Sequence, residues 1–510
     1  MDTLLHRFLA HPGSATAVTD LQRRPWSFDA VLGAAVHLAE QLFEHGVRPG
    51  HLVLVSTPGG PGFHIADLAV LLAGAVPAVV PELLPAHVWT VLETVRPRLI
   101  LTEQPLSASL TRAAADRAVT VHSWQATPAA AVAPSQVRDR AHARAAELTH
   151  PAAAVVFTSG TTGAPRAVVL THQGLLDGMG AWNRHWPRSA RRPRNTVSYL
   201  PVSHVAQRIM GHYLMCLYGT LVHTSTPHRL GGDLIHHRPQ ALLGVPHVWA
   251  RLARAAQGTP GGALRRALGS IDLAVNGAAA LDPSLARALA RVGLRVAGAY
   301  GSTETTVPAF HQPRAGRPGL GVPVGVRWRI DHSELVIDSP HLAAGYVTRW
   351  PHTRPVVADD QWWHTGDGAH LHRGQPYLDG RVASTFKTAR GRWVSPEPVE
   401  AYLATLPHVE QACLIGEGLP HTVALVSAPQ TGPWDTRRRQ ALAEDLTEAV
   451  AAQQRRGALP WCDLHQVLVL CDIWDEASGL ATSTGKPRRG PLRAHYADLL
   501  RQAAPLGAPS

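Results

Sequence analysis

Cysteine is scarce in this chain. Four thiols stand among 510 residues, at Cys216, Cys413, Cys462 and Cys471, and no two share a CxxC spacing. That excludes a disulfide framework and points to a reducing, cytoplasmic setting. Metal signatures are missing as well. None of the 30 histidines falls in an HExxH pattern, and the pair His236-His237 beside Arg238-Pro239 reads as a loop, so no zinc is expected. Long apolar runs are absent. The most apolar stretch, residues 65–81, is broken by Asp67 and Pro77 and falls short of the roughly 20 residues a spanning helix needs. It reads as a buried helix running into a strand. The first residues lack the apolar core of a secretory signal, so neither export nor a membrane span is expected.

Acidic charge is the minority. The formal net charge is +11, which invites an anionic partner. The basic residues are nevertheless scattered. Their densest group, Arg184, Arg188, Arg191, Arg192 and Arg194, is interrupted by Trp186, Pro187 and Pro193 and reads as a solvated loop. Nucleic acid is therefore not an expected partner, and a phosphate-rich small molecule could use the run equally well.

The length implies two or more domains. Helical spacing over residues 28–43, turn residues at 46–50 and short apolar runs at 51–55 and 98–102 alternate, which predicts an α/β fold with a largely parallel sheet covered on both faces. Residues 127–147, rich in Ala, Pro and Arg without a hydrophobic period, read as a loose connection. Strands and helices resume to about residue 380. A smaller region follows, with a helix opening at Glu400 and a strand over residues 423–426.

The most informative segment begins with an apolar run at residues 152–157 and ends with another at 167–170. Between them lie Thr158, Ser159, Gly160, Thr161, Thr162, Gly163, Ala164, Pro165 and Arg166. Hydroxyls and backbone N–H groups of such a loop can wrap a polyanion, and Arg166 adds a forked cation. The GxxxxGK[ST] phosphate loop is absent, and this loop joins two strands instead of opening a helix.

The string TSGTTGAPRAVVLTH at 158–172 resembles the phosphate loop of the adenylate-forming superfamily of acyl-CoA synthetases, peptide-synthetase adenylation domains and luciferases, with Arg166-Ala167 where that family usually has Lys-Gly. Further motifs follow in the family's order. YGSTE at 300–304 is similar to its YGxTE element. That likeness implies Tyr300 on the adenine, with Gly301 in the turn, Thr303 at the α-phosphate and Glu304 on Mg²⁺, for which a carboxylate is a natural hard ligand. Asn276, Gly277 and Ala278 align with the small residues that lie along the adenine. TGD at 365–367 implies Asp367 as the ribose clamp, and DGR at 379–381 places Arg381 at ribose or phosphate. Lys387 and the run 390–400 resemble the long-chain acyl-CoA synthetase version, although Ala383 and Ser384 replace two acidic hinge positions. Lys486, in the run 482–489, is the expected catalytic lysine, stabilising charge that develops at the α-phosphate during attack.

The resemblance covers nearly the whole chain. It implies a large N-terminal domain of layered α/β subdomains over 1–380, a hinge at 381–384 and a small mobile α+β C-terminal domain over 385–510. It also implies ATP and Mg²⁺ as cofactors, an acid as substrate, and transfer of the activated acyl group to coenzyme A after rotation brings residues 390–392 to the site. Alternative acceptors are a carrier protein, or an aryl amine if the acid is nitrite. YLPVSHVAQR at 199–208 and GVPHVW at 244–249 resemble stretches of the long-chain branch. His204, Arg208, His212, His247 and Asn276 are the candidates for the acid pocket, and their polarity favours a polar or aromatic acid over a plain fatty acid.

Overall fold

The computed structural model describes residues 2–80, 85–127, 134–148, 150–158, 165–258, 262–317, 319–357, 361–429, 435–456, 459, 462–475, 477–482 and 485–503. Two large mixed sheets dominate. The first has eight strands. Its parallel centre runs through Leu52–Ser56, Val76–Val79, Leu99–Thr102 and Thr120–Ser123, and Ala152–Thr158 lies parallel to Val76–Val79. Arg166–Thr171 and Gly345–Arg349 then continue the edge antiparallel. The second sheet has nine strands. Leu221–Thr224, Asn195–Ser198, Ala241–Gly244, Leu273–Asn276 and Val296–Tyr300 form its parallel centre, and Phe310–Gln312 turns back antiparallel. The expectation of a largely parallel α/β sheet thus holds at both centres, and antiparallel strands extend each sheet beyond them.

One apolar core spans both sheets, joining Val53 and Val156 of the first to Val222 and Leu243 of the second. The helix Gly60–Leu72 lies in that core, and all thirteen of its residues are buried. Apolar residues on every side make such a helix stable only when enclosed. This accounts for the apolar run noted at 65–81, which continues into the strand Val76–Val79.

Two expectations are corrected. Within residues 127–147, Pro134–Glu147 is a helix that buries Val137, Ala141 and Ala145, spaced four apart along one face. The small size of alanine hid the period. His236 and His237 form the last turn of the helix Leu230–His237 instead of a loop, and His237 stacks on His223 with ring centroids 3.7 Å apart.

A four-stranded antiparallel sheet, Arg327–Asp331, Glu334–Asp338, Trp363–His372 and Gln375–Arg381, leads to a short turn at Val382–Ser384. Beyond it, Gln411–Ile415, Thr422–Ser427 and Leu464–Leu470 form a separate sheet with the helix Thr436–Arg455 packed on it. The apolar clusters here are built from residues Phe386 onward. Among the described residues no helix is long and apolar enough to cross a membrane, and all four cysteines are free.

Candidate active site

In both large sheets the parallel strands lead into the loops that carry the candidate residues at their C-terminal ends, where open α/β sheets bind ligands. The hairpin Ala152–Thr158 to Arg166–Thr171 pairs Thr158 with Arg166, so the glycine-rich loop does join two strands. Ser159, Gly160, Thr161, Thr162 and Gly163 lie outside the described residues. At its far side Arg166 reaches across to Glu304, with Nη2 3.4 Å from Oε1, and lies over the ring of Tyr346 at 4.8 Å. The Tyr346 hydroxyl donates to the same Oε1 at 3.0 Å. Glu304 is only 4% exposed, so its carboxylate meets a cation and a hydroxyl in a sheltered place. Burial, reinforced by the Glu304 charge, pushes the Tyr346 hydroxyl up to about 12, so it remains a donor at neutral pH. Tyr346 carries no motif, and sequence reasoning missed it. It enters the site because its strand pairs with the phosphate hairpin, Tyr346 opposite Val168.

The turn after Val296–Tyr300 holds the next group. A Cβ at Gly301 would stand 2.9 Å from the Thr305 hydroxyl and 3.0 Å from Pro308 Cα, so only glycine lets this backbone close. Thr303 is partly exposed, and its carbonyl accepts from the Thr306 N–H at 3.1 Å. On the neighbouring strand Asn276 is buried. Its Nδ2 donates to the Ala279 carbonyl at 2.7 Å, and its Oδ1 has no hydrogen-bond partner. Gly277 ties back to the Gly244 carbonyl, while Ala278 adopts φ +68°, a left-handed conformation that costs a non-glycine residue free energy.

Tyr300, Asp367 and Arg381 converge. The Tyr300 hydroxyl donates to Asp367 Oδ2 at 2.6 Å, and Arg381 Nε lies 2.9 Å from Oδ1. Asp367 and Arg381 are cross-strand partners in Trp363–His372 and Gln375–Arg381, which fixes their approach, and Arg381 Nη1 also donates to the Thr365 carbonyl at 3.0 Å. Burial raises the Asp367 carboxyl above its ordinary range against the pull of Arg381 and the Tyr300 hydrogen bond. The charges of Glu397 and Lys486 act on it too, the first raising and the second lowering it. The charge of Lys486 thus acts on the carboxylate although the residue belongs to the far end of the chain. Its backbone closes a small turn, the Thr482 N–H donating to the Lys486 carbonyl at 2.9 Å and the Lys486 N–H to the Thr482 hydroxyl at 3.0 Å.

The acid-pocket candidates fall on several elements. His204 caps the helix Val205–Arg208, its carbonyl accepting from the N–H groups of Gln207 and Arg208. His247 is solvent-exposed at the start of the helix Pro246–Gly258. Arg208 is fully buried, with Nη2 2.5 Å from Asp67 Oδ1 and Nε donating to the Tyr213 hydroxyl at 3.0 Å. His212 Nε2 stands 3.0 Å from Asp67 Oδ2, and its Nδ1 lies 2.9 Å from Nδ1 of His64. Asp67 and His64 were not singled out from the sequence. The visible signal was a lone acid in a run otherwise apolar.

Among the described residues no group of three or more His, Cys, Asp or Glu side chains could hold a metal ion by itself. A metal here would rest on Glu304 together with ligands that are not protein, which suits Mg²⁺ on a nucleotide, an ion commonly held by one or two carboxylates plus phosphates.

Known proteins resemble this chain in sequence and in fold. The AMP-binding enzyme family matches residues 5–347. Long-chain-fatty-acid–CoA ligase 2 of Schizosaccharomyces pombe is 23% identical over 441 residues, covering 68% of this chain and 63% of the ligase, so the chain spans less than two thirds of that relative. A putative fatty-acid–CoA ligase of Mycobacterium tuberculosis is 25% identical over 67% of this chain and 72% of its own length. Among solved structures, ATP-bound MatB from Rhodopseudomonas palustris superposes with a TM-score of 0.76 at 20% identity, covering 98% of this chain and 99% of its own. The O-succinylbenzoate coenzyme A synthetase of Bacillus subtilis, in complex with AMP, gives 0.73 at 18% identity over 97% and 98%. The structural likeness supports the fold, and the family match covers well over half of the sequence: the chain belongs to the AMP-binding enzyme family, whose structural neighbours here are adenylate-forming enzymes.

Proposed function

We propose that this chain joins an acid to AMP at the expense of ATP, releasing pyrophosphate, and then passes the activated group to the thiol of coenzyme A. The observation that carries this reading is the convergence of three sets of side chains from distant parts of the sequence. Arg166, Glu304 and Tyr346 face the phosphate hairpin. Tyr300, Asp367 and Arg381 form a second set. The charge of Lys486 reaches Asp367.

Each set suits one part of the nucleotide. Asp367 accepts from a hydroxyl and a guanidinium, and a ribose diol offers the same kind of donors. Asn276 Oδ1, buried and without a partner, suits an amino group of a base, beside the small residues Gly277 and Ala278. Thr158, Arg166 and the loop that joins them would hold the β- and γ-phosphates. Bound Mg²⁺ would supply charge neutralisation at the phosphates, held by Glu304.

In the first half-reaction an oxygen of the acid attacks the α-phosphorus. A new P–O bond forms as the bond to pyrophosphate breaks. Arg166 draws charge from the leaving group, while Thr303 and Lys486 meet the oxygens at the α-phosphate. The protein contributes position and electrostatics more than covalent chemistry. In the second half-reaction a thiol attacks the carbonyl of the mixed anhydride and AMP departs. Residues 1–380 would form the large domain, 381–384 the hinge and 385–510 the small domain that rotates between the two steps. The left-handed Gly380, φ +111°, and the short turn Val382–Ser384 support that division. Free thiols support a reducing, cytoplasmic setting.

The test is acid-dependent exchange of radiolabelled pyrophosphate into ATP, followed by AMP release with and without coenzyme A. Acid-dependent exchange with thiol-stimulated AMP release is expected. Absence of exchange with every acid would remove the reading, and exchange without thiol stimulation would remove the acceptor.

A further inference from the structure

A cavity of about 480 Å³ opens on the second large sheet, at the end opposite the candidate nucleotide site. It is lined where the strands Leu273–Asn276 and Val296–Tyr300 begin, whereas Asn276 and Tyr300, which belong to that site, stand where the same strands end. At ~3.3 Å per residue the strand Val296–Tyr300 alone separates the two ends by about 13 Å.

Two arginines stand at the rim. The Ala315 N–H donates to the Val296 carbonyl at 2.7 Å, and Arg314 and Arg295 each precede one of these residues, so the pairing brings both to one edge of the cavity. Both are exposed, and among the described residues neither side chain has a hydrogen bond or ion pair. Among the described lining residues the one carboxylate is Asp272, whose Oδ2 already accepts from Gln240 Nε2 at 2.8 Å.

The inner wall adds neutral donors. Trp186 lies within the arginine-rich run 184–194 yet is only 3% exposed, its ring meeting those of Trp182 and Tyr218 edge-on at 5.0 and 5.8 Å. Its Nε1–H is buried without a hydrogen-bond partner. His311 is buried, and burial with His185 beside it pushes the imidazole down to about 4, so the ring is neutral at pH 7. Its Nδ1 accepts from the Trp182 indole N–H at 3.4 Å, which leaves the ring proton on Nε2, a donor with no partner among the described residues.

Guanidinium and indole groups donate and never accept. Buried donors in native proteins are almost always met by protein, water or ligand. Leu273 and Ala297, both buried, supply an apolar wall beside them. A concave apolar surface with a few convergent polar groups is the usual form of a small-molecule site, and this volume lies in the usual range. An inorganic anion would engage the arginines and leave the apolar wall unused. A carboxylate on a compact apolar body uses both, and the guanidinium fork matches its two oxygens. We propose that the cavity is a second binding site, separate from the nucleotide site, for a small organic carboxylate, its charge held by Arg295 and Arg314 and its apolar body against Trp186, Leu273 and Ala297.

The experiment is titration of the full chain with 4-fluorobenzoate, followed by fluorine NMR at fixed ionic strength. Saturable binding is expected. Arg295→Gln/Arg314→Gln should weaken it by about tenfold or more, the loss of at least one charge-assisted hydrogen bond. Both side chains are exposed, so the melting temperature and the rate of pyrophosphate exchange should stay at wild-type values. Arg295→Lys/Arg314→Lys keeps the charge and loses the fork, so its affinity should fall between the two. Trp186→Phe keeps a ring and removes the donor, and should weaken binding about threefold. Benzyl alcohol has a similar body without the charge, and inorganic phosphate has charge without the body. Each should bind about tenfold more weakly than the probe, or worse. Absence of saturable binding, binding unchanged in the folded Gln double variant, or phosphate binding as tightly as the probe would overturn the proposal. The second of these results covers a probe seated only in the acid pocket of the active site, because that pocket keeps its residues in the variant. Binding is read without turnover, so the outcome stands apart from whether the chain activates an acid.

Discussion

Replacing Asp367 by Asn tests the nucleotide site most directly, because the substitution keeps shape and removes charge. The carboxylate accepts at 2.6 Å from Tyr300 and at 2.9 Å from Arg381, and its side chain is 14% exposed. A hydrogen bond to a charged group contributes about 1.5–3 kcal/mol. Arg381 is nearly half exposed, so its share of the pairing is weakened by solvent. Taking one strong contact to the ribose as lost, at about 2–3 kcal/mol, kcat/KM for ATP should fall about 30- to 150-fold. Stability should behave differently. Burial raises the folded carboxyl above its unfolded value, so ionisation opposes folding, and stability is lost as pH rises from the unfolded to the folded pKa. The Asn variant carries no such cost and should melt at or above the wild-type temperature at pH 7. In the wild type, apparent ATP affinity should fall on acidification through a midpoint above the ordinary aspartate range, and that limb should vanish in the variant. Exchange kinetics as a function of ATP and pH, with calorimetry alongside, measure all three. A change in kcat/KM below about fivefold, or an acid limb unchanged in the variant, would refute the assignment of Asp367 to the ribose.

Lys486→Ala should slow pyrophosphate exchange by roughly 100- to 1,000-fold, the usual effect of losing one preorganised donor to developing charge. Thioester formation from a presynthesised acyl-adenylate should survive, and equal loss of both steps would argue against a role confined to adenylation. Glu304→Gln should raise the Mg²⁺ concentration that half-saturates exchange, whereas Tyr346→Phe, which removes one donor at 3.0 Å, should cost only about 0.5–1.5 kcal/mol in kcat/KM. Gly380→Ala places a side chain at φ +111° and 2.8 Å from Glu397 Oε2, so thioester transfer should suffer more than exchange if this glycine serves the hinge. A uniform loss in both steps would show simple misfolding.

Much of the candidate site was legible because its chemistry sits in short contiguous strings. A loop at the end of a strand has to supply hydroxyls, glycines and a cation within a few residues, so TSGTTGAPR, YGSTE and TGD announce themselves locally. The partners of those strings were not legible. Tyr346 and Glu304 are 42 positions apart and meet where the segment leading into the strand Gly345–Arg349 lies on the loop after Val296–Tyr300, the Ala343 N–H donating to the Glu304 carbonyl at 2.8 Å. Arg208 and Asp67 are 141 apart and meet only because a buried helix of one sheet lies against a helix of the other. The helix Pro134–Glu147 escaped for another reason: two of its three buried residues are alanine, which barely marks a hydrophobic period.

The sequence alone determined the family, the order of the motifs and the strand–helix alternation, since each depends on residue type and on neighbours a few positions away. Tertiary structure alone decided which charges are neutralised and which polar atoms are left unpaired. The charge of Lys486 acts on Asp367 only because the chain's far end packs near it, and Arg208 and Asp67 pair only where their two helices are buried together. Burial is a property of the assembled fold, and burial is what ties the charge of Arg208 to Asp67.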